Sequence, residues 1–87
     1  MSYEVRLRPA AQKELNDLPE PEYERVRKAI SALEGNPRPP RVKRLAESGL
    51  WRIRVGQYRV VYALNDEAQR VTIVRVARRR EDTYKGL

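Results

Sequence analysis

Cysteine and histidine are both missing from this 87-residue chain. Without cysteine there is neither a disulfide framework nor a thiolate metal site to hold a small domain together. Without histidine the commonest zinc ligand is gone, along with the one side chain that titrates near neutrality unaided. Long apolar runs are missing too. Nothing approaches the roughly 20 residues of a membrane span, and the opening MSYEV lacks the apolar core of a signal peptide. A soluble cytoplasmic protein is therefore the default expectation. At this length we expect one domain over residues 1–87, with a modest core, because so short a chain buries only about 60% of its unfolded surface. No internal repeat and no low-complexity segment interrupts it.

What the chain has in excess is positive charge: 19 Lys and Arg against 12 Asp and Glu. The excess is uneven. Residues 1–49 hold 10 basic and 8 acidic side chains, a net of +2, whereas residues 50–87 hold 9 and 4, a net of +5. Eight of those nine bases are arginine. The planar arginine fork matches phosphate geometry, while lysine serves solubility equally well. A solvated basic surface is the plain alternative, but the split favours an anionic partner, either nucleic acid or an acidic protein segment.

The apolar spacing gives an order of elements. Tyr3, Val5 and Leu7 alternate with Glu4, Arg6 and Arg8, the pattern of a short half-buried strand. Pro9 fits a first helical position, and Ala11, Leu15 and Leu18 recur at spacings of four and three until Pro19. A second helix begins near Pro21, with Tyr23, Val26, Ile30 and Leu33 as its stripe and Gly35-Asn36 as an expected left-handed cap. The proline-rich segment from Asn36 to Arg44 reads as an extended connector. Leu50 to Val55, Tyr58 to Leu64 and Val71 to Ala77 then read as strands, joined by a tight turn at Gly56-Gln57 and a longer one over Asn65 to Arg70. The expected class is α+β in the order β-α-α-β-β-β. It has a helix hairpin on one face of a three-strand antiparallel meander, the N-terminal strand paired to one of those strands, and a short helical tail after Arg78.

Period-two alternation sorts the strand residues into faces. Trp51, Ile53 and Val55, then Tyr58, Val60, Tyr62 and Leu64, then Val74 and Val76 are expected beneath the helices. The opposite face would collect Arg52, Arg54, Arg59, Arg75 and Arg79, with Val61, Ala63 and Ala77 as a shallow floor and Ile73 among them. Arginines on a solvated strand are ordinary in twos. Five on one face repel one another and suggest a surface that spans several phosphates, each contributing a salt-dependent term to affinity. Trp51, Tyr58 and Tyr62 have the chemistry to stack bases, but their faces assign them to the core.

The run from Leu50 through Trp51-Arg52-Ile53-Arg54-Val55-Gly56-Gln57-Tyr58-Arg59 to Tyr62 resembles the signature of the RelE/ParE toxin superfamily, in particular its RelE branch. Leu33-Glu34-Gly35-Asn36-Pro37-Arg38-Pro39 with Lys43 and Leu45 is similar to the family connector. Val76-Ala77-Arg78-Arg79-Arg80-Glu81-Asp82-Thr83-Tyr84 is similar to its closing strand and Arg…Tyr motif. The resemblance runs over nearly the whole chain in the element order read above. It implies a toxin of a type II toxin–antitoxin system that cuts messenger RNA on the ribosome, without metal or cofactor. The implied partner is an antitoxin encoded beside it, which binds through an acidic or amphipathic segment.

By position, the resemblance assigns Arg52 and Arg54 to the family's basic pair, Arg59 to its Tyr-Arg step, Arg79 to the end of its last strand and Tyr84 to its C-terminal tyrosine. Lys43, Arg44, Arg75, Arg78 and Arg80 are further candidates for RNA binding. Two departures bear on the chemistry. Arg78 stands where many relatives have histidine, and the basic pair is arginine twice, so neither position holds a group that readily gives up a proton. Attack of a ribose 2′-OH on the adjacent phosphate then calls for arginines to hold the growing charge and for another base. Tyr84, lowered by neighbouring cations, is the first candidate; Glu81 and Asp82 are alternatives, with capping or salt-bridging of the arginine run as their other reading. Three rival functions stay open: a ParE-like inhibitor of DNA gyrase, a non-catalytic nucleic-acid-binding module, and a basic groove that mainly docks an acidic or amphipathic antitoxin segment, with catalysis weak or lost.

Overall fold

The computed structural model describes residues 2–78. Its elements are strand β1 (Glu4–Leu7), helices α1 (Pro9–Asn16) and α2 (Glu22–Ala32), and strands β2 (Lys43–Arg44), β3 (Trp51–Val55), β4 (Tyr58–Asn65) and β5 (Arg70–Arg78). The strands form one sheet in the order β1-β5-β4-β3-β2. β1 lies parallel to β5, from Glu4 opposite Arg70 to Leu7 opposite Ile73. The remaining pairs are antiparallel. The chain leaves β1, crosses one sheet face as the helix hairpin, reaches the far edge at β2 and returns strand by strand until β5 lies beside β1. The expected helical tail falls outside the described residues, and no described helix is long and apolar enough to cross a membrane.

The core sits between the hairpin and one sheet face. Ala11 and Leu15 of α1 and Val26, Ile30 and Leu33 of the α2 segment pack on Ile53, Val60, Tyr62, Val71, Ile73 and Val76. Pro9 opens α1 at a position where a missing N–H costs nothing. Glu22 and Glu24 in the first turn of α2 complement the positive end of the helix dipole.

Four expectations need correction. The connector does not stay single-stranded: Lys43 and Arg44 pair with Arg52 and Trp51, giving a fifth strand at the sheet edge. Gly35 has no left-handed backbone. The helix instead unwinds through i→i−3 bonds at Leu33, Glu34 and Gly35, and Asn36 Oδ1 accepts from the Arg38 N–H at 3.1 Å, which starts the connector with an Asx turn. The strict alternation assumed for β5 also fails. Val61 faces Arg75 but Tyr62 faces Ile73, so Val74 is an extra residue, and this bulge turns Ile73 and Val71 into the core. Finally, the face away from the helices is closed at its centre: Val61 is 0% and Arg59 only 5% exposed.

Candidate nucleic-acid interface

A two-residue turn builds the centre of the site. Gly56 has φ +60°, the conformation required at the first central position of a type II′ hairpin turn. Val55 then faces Tyr58, and the next pair inward is Arg54 opposite Arg59. One step away from a tight turn, that pair is of the closely spaced kind, with Cα atoms about 4.5 Å apart. Arg52 faces Val61 on the same side, and across the other edge Arg52 faces Lys43. Two like-charged pairs therefore stand directly opposite one another on three adjacent strands. Like charges directly opposite one another are unfavourable as cross-strand pairs.

Lys43, Arg52, Arg54 and Arg59, together with Arg41 from the connector, line a groove of about 1040 Å³ at the β3 edge. α2 and the connector supply its apolar part through Leu33, Ala29 and Pro39, and no carboxylate lines it among the described residues. Arg54 is exposed, Arg52 half-buried and Arg59 buried at the base. The Arg59 guanidinium donates to its neighbour's carbonyl, Tyr58 O, over a long 3.5 Å. A buried guanidinium keeps its charge at any working pH. The groove thus combines a permanent positive base, a concave shape and an apolar wall, which together suit an anion attached to a flat or apolar group.

The structure separates the other sequence candidates. Arg75 faces Val61, but its Nε pairs with Glu14 of α1 at 3.3 Å, which draws it to the edge of β5. Arg78 faces Tyr58 on the helix side and donates to Gln57 Oε1 at 2.9 Å. Arg44 faces Trp51 and stacks on its ring at 5.5 Å, with Arg38 over the same ring at 5.0 Å. Arg79, Arg80 and Tyr84, as well as Glu81 and Asp82, lie outside the described residues. Tyr62 is fully buried, and Tyr58 and Trp51 are half-buried against the core, as their faces require. The cation pairing of Trp51 was not apparent from its strand pattern.

At the other end of the sheet the connector is anchored. Arg38 donates to both oxygens of Asp66, at 3.2 and 2.7 Å, and the Tyr3 hydroxyl donates to Asp66 Oδ1 at 2.6 Å. These bonds, from Arg38 first, hold the Asp66 carboxyl down at about 2. They also push Tyr3 and Arg38 upward through the same carboxylate. The Tyr62 hydroxyl donates to Pro37 O at 2.7 Å, and burial pushes this phenol up to about 12. The connector that forms the groove wall is thereby tied to β4 and to the β4–β5 turn.

Comparison with known proteins agrees with this architecture. Residues 5–83 match the family described as ParE toxin of type II toxin-antitoxin system, parDE, which puts the chain in a class of small toxins. A protein of Methanocaldococcus jannaschii named "Putative toxin RelE1" is 34% identical over 99% of both chains. The archaeal RelE–RelB complex from Pyrococcus horikoshii contains a chain superposing with TM-score 0.82 at 31% identity, over 93% of this chain and 99% of that one. The toxin–antitoxin complex RelBE2 from Mycobacterium tuberculosis gives TM-score 0.80 at 30% identity, over 91% and 100%. Within its class, the chain belongs to the RelE/ParE superfamily.

Proposed function

We propose that this toxin is a ribosome-dependent endoribonuclease that acts in the cytoplasm, cutting messenger RNA to stop translation. The observation that carries the reading is the groove whose base sets Arg54 opposite Arg59 and Arg52 opposite Lys43 across adjacent strands. In this reading a ribose 2′-oxygen attacks the adjacent phosphorus and the 5′-oxygen leaves. Arg59 and Arg79 hold the phosphoryl oxygens as charge builds, a role that costs no reorganisation when the guanidinium is already fixed. Arg52 and Arg54 steady the scissile phosphate and order a water that protonates the leaving oxygen. Tyr84 takes the 2′ proton, with Glu81 or Asp82 as the alternative base. Lys43 and Arg44 extend the RNA contact, as do Arg75, Arg78 and Arg80. Arg75 serves only if RNA competes with Glu14.

The partner that restrains this activity is a cognate antitoxin. The P. horikoshii and M. tuberculosis relatives are complexes of that kind, and an acidic or amphipathic segment suits a surface of net charge +7. A gyrase-inhibiting activity is the second reading, favoured by the ParE description of the matched family. Brief expression followed by mapping of RNA ends and assay of DNA supercoiling separates the two. New ends within translated messages support the ribonuclease, while intact messages beside inhibited supercoiling support the gyrase reading.

A further inference from the structure

Pro39 to Val42 forms a β-turn closed by the Val42 N–H donating to Pro39 O at 3.1 Å. Pro40 takes the first corner, which its fixed φ suits. Arg41 takes the second, with φ +71°. A turn of this form calls for glycine or asparagine there, because any larger residue crowds its own backbone in the left-handed region. An arginine at this position is a local violation, and such violations gather where function requires a particular side chain. Arg41 lies in the groove lining with Lys43, Arg52, Arg54 and Arg59. None of the ion pairs found among the described residues involves it. The fold thus accepts backbone strain to place a fifth basic side chain in the lining of this groove.

We infer that Arg41 is an RNA-positioning residue, held by a strained turn so that its guanidinium binds a backbone phosphate of the strand lying in the groove. This rests on the ribonuclease reading above and extends it to a residue outside the family signature. The signs of its effects distinguish it from a structural arginine. Replacing it with glycine relieves the turn and removes a charge, so stability and RNA affinity should move independently.

The test is fluorescence anisotropy with the full chain and a short single-stranded RNA whose 2′-hydroxyls are methylated, so that it binds uncut. Affinity is measured across a salt series beside thermal melting. Arg41→Gly and Arg41→Asn should melt no lower than wild type and bind about tenfold more weakly, the loss expected for one charged hydrogen bond. Their salt slopes should fall by about 0.7, one phosphate contact on a single strand. Arg41→Lys should keep the slope. Arg27→Gln, which removes an arginine paired with Glu24 on α2, should leave slope and affinity within twofold of wild type. Wild-type binding with an unchanged slope in Arg41→Gly overturns this inference alone. The same holds if Arg41→Gly melts several degrees lower, or loses an antitoxin peptide but not RNA. If wild type binds no RNA even at low salt, the ribonuclease reading and this inference fall together.

Discussion

Removing one buried hydroxyl should change both the stability of this domain and its response to alkali. In Tyr62→Phe the ring remains in the core, but the bond to Pro37 O at 2.7 Å is lost and that carbonyl is left without its donor. The expected cost at neutral pH is about 1 kcal/mol, which lowers Tm by roughly 4–8 °C in a domain of this size. The pH dependence follows from burial, which raises the phenol from 10.0 to about 12. A raised folded pKa means the unfolded chain releases its proton first, so the contribution of Tyr62 is complete below pH 10 and is lost as pH rises toward 12. Over that window wild type loses about 1.4 kcal/mol per unit relative to the phenylalanine variant. The 1 kcal/mol lead of wild type should therefore vanish at about pH 11 and reverse above it. Urea midpoints for both proteins from pH 7 to about pH 11.5 would show the crossing, and the comparison cancels the other titrating groups. A gap that stays constant across the series would show that the Tyr62 phenol is not raised in the fold, and no gap at pH 7 would show that its bond to Pro37 O adds no stability. The outcome matters for function because Pro37 begins the connector that forms the groove wall.

Two further perturbations probe the supports around the site. Glu14 accepts from the Val76 N–H at 2.9 Å, on the side of β5 where β1 has ended and no described strand follows, and it holds Arg75 at 3.3 Å. Glu14→Ala should cost about 1–2 kcal/mol in a denaturant titration while freeing Arg75; unchanged stability would show that water satisfies that edge equally well. Asp66 sits well below its ordinary 3.8, at about 2. Its depressed folded pKa makes its contribution present above pH 3.8 and lost as pH falls toward 2. Acid unfolding monitored by circular dichroism should accordingly be less steep in Asp66→Asn over that interval. Equal steepness would mean the Arg38–Asp66–Tyr3 cluster does not support the fold.

Much of the fold could be read from the sequence because its strands and helices follow simple periods. Trp51 to Val55 alternates and the tight turn at Gly56-Gln57 sets the register of Tyr58 to Leu64, so Arg52, Arg54 and Arg59 fall on one face as their positions imply. β5 did not, because a single extra residue at Val74 reverses every face on one side of it and leaves no mark in composition. β2 was missed for a different reason. Lys43 and Arg44 have no strand pattern of their own, and they become a strand only because the β3 edge offers them partners. The burial of Arg59 runs against the polarity of its side chain and is set by tertiary packing. Arg41 gave no signal as a letter, since its meaning lies in a backbone angle that the sequence assigns to glycine. The groove depends on where the connector returns, which local patterns do not specify.

Cleavage of RNA by the arginine groove on the ribosome, as proposed above, can be measured by single-turnover cutting of a ribosome-bound message by wild type, Arg54→Ala and Arg59→Met. The methionine keeps the aliphatic stem in the buried site, and melting curves check that both variants remain folded. Wild type should cut within the ribosome-bound message, and each variant should lose about a hundredfold or more, as for removal of a donor to developing charge. Folded variants that cleave at the wild-type rate, or a wild type that leaves the message intact, would contradict the proposal.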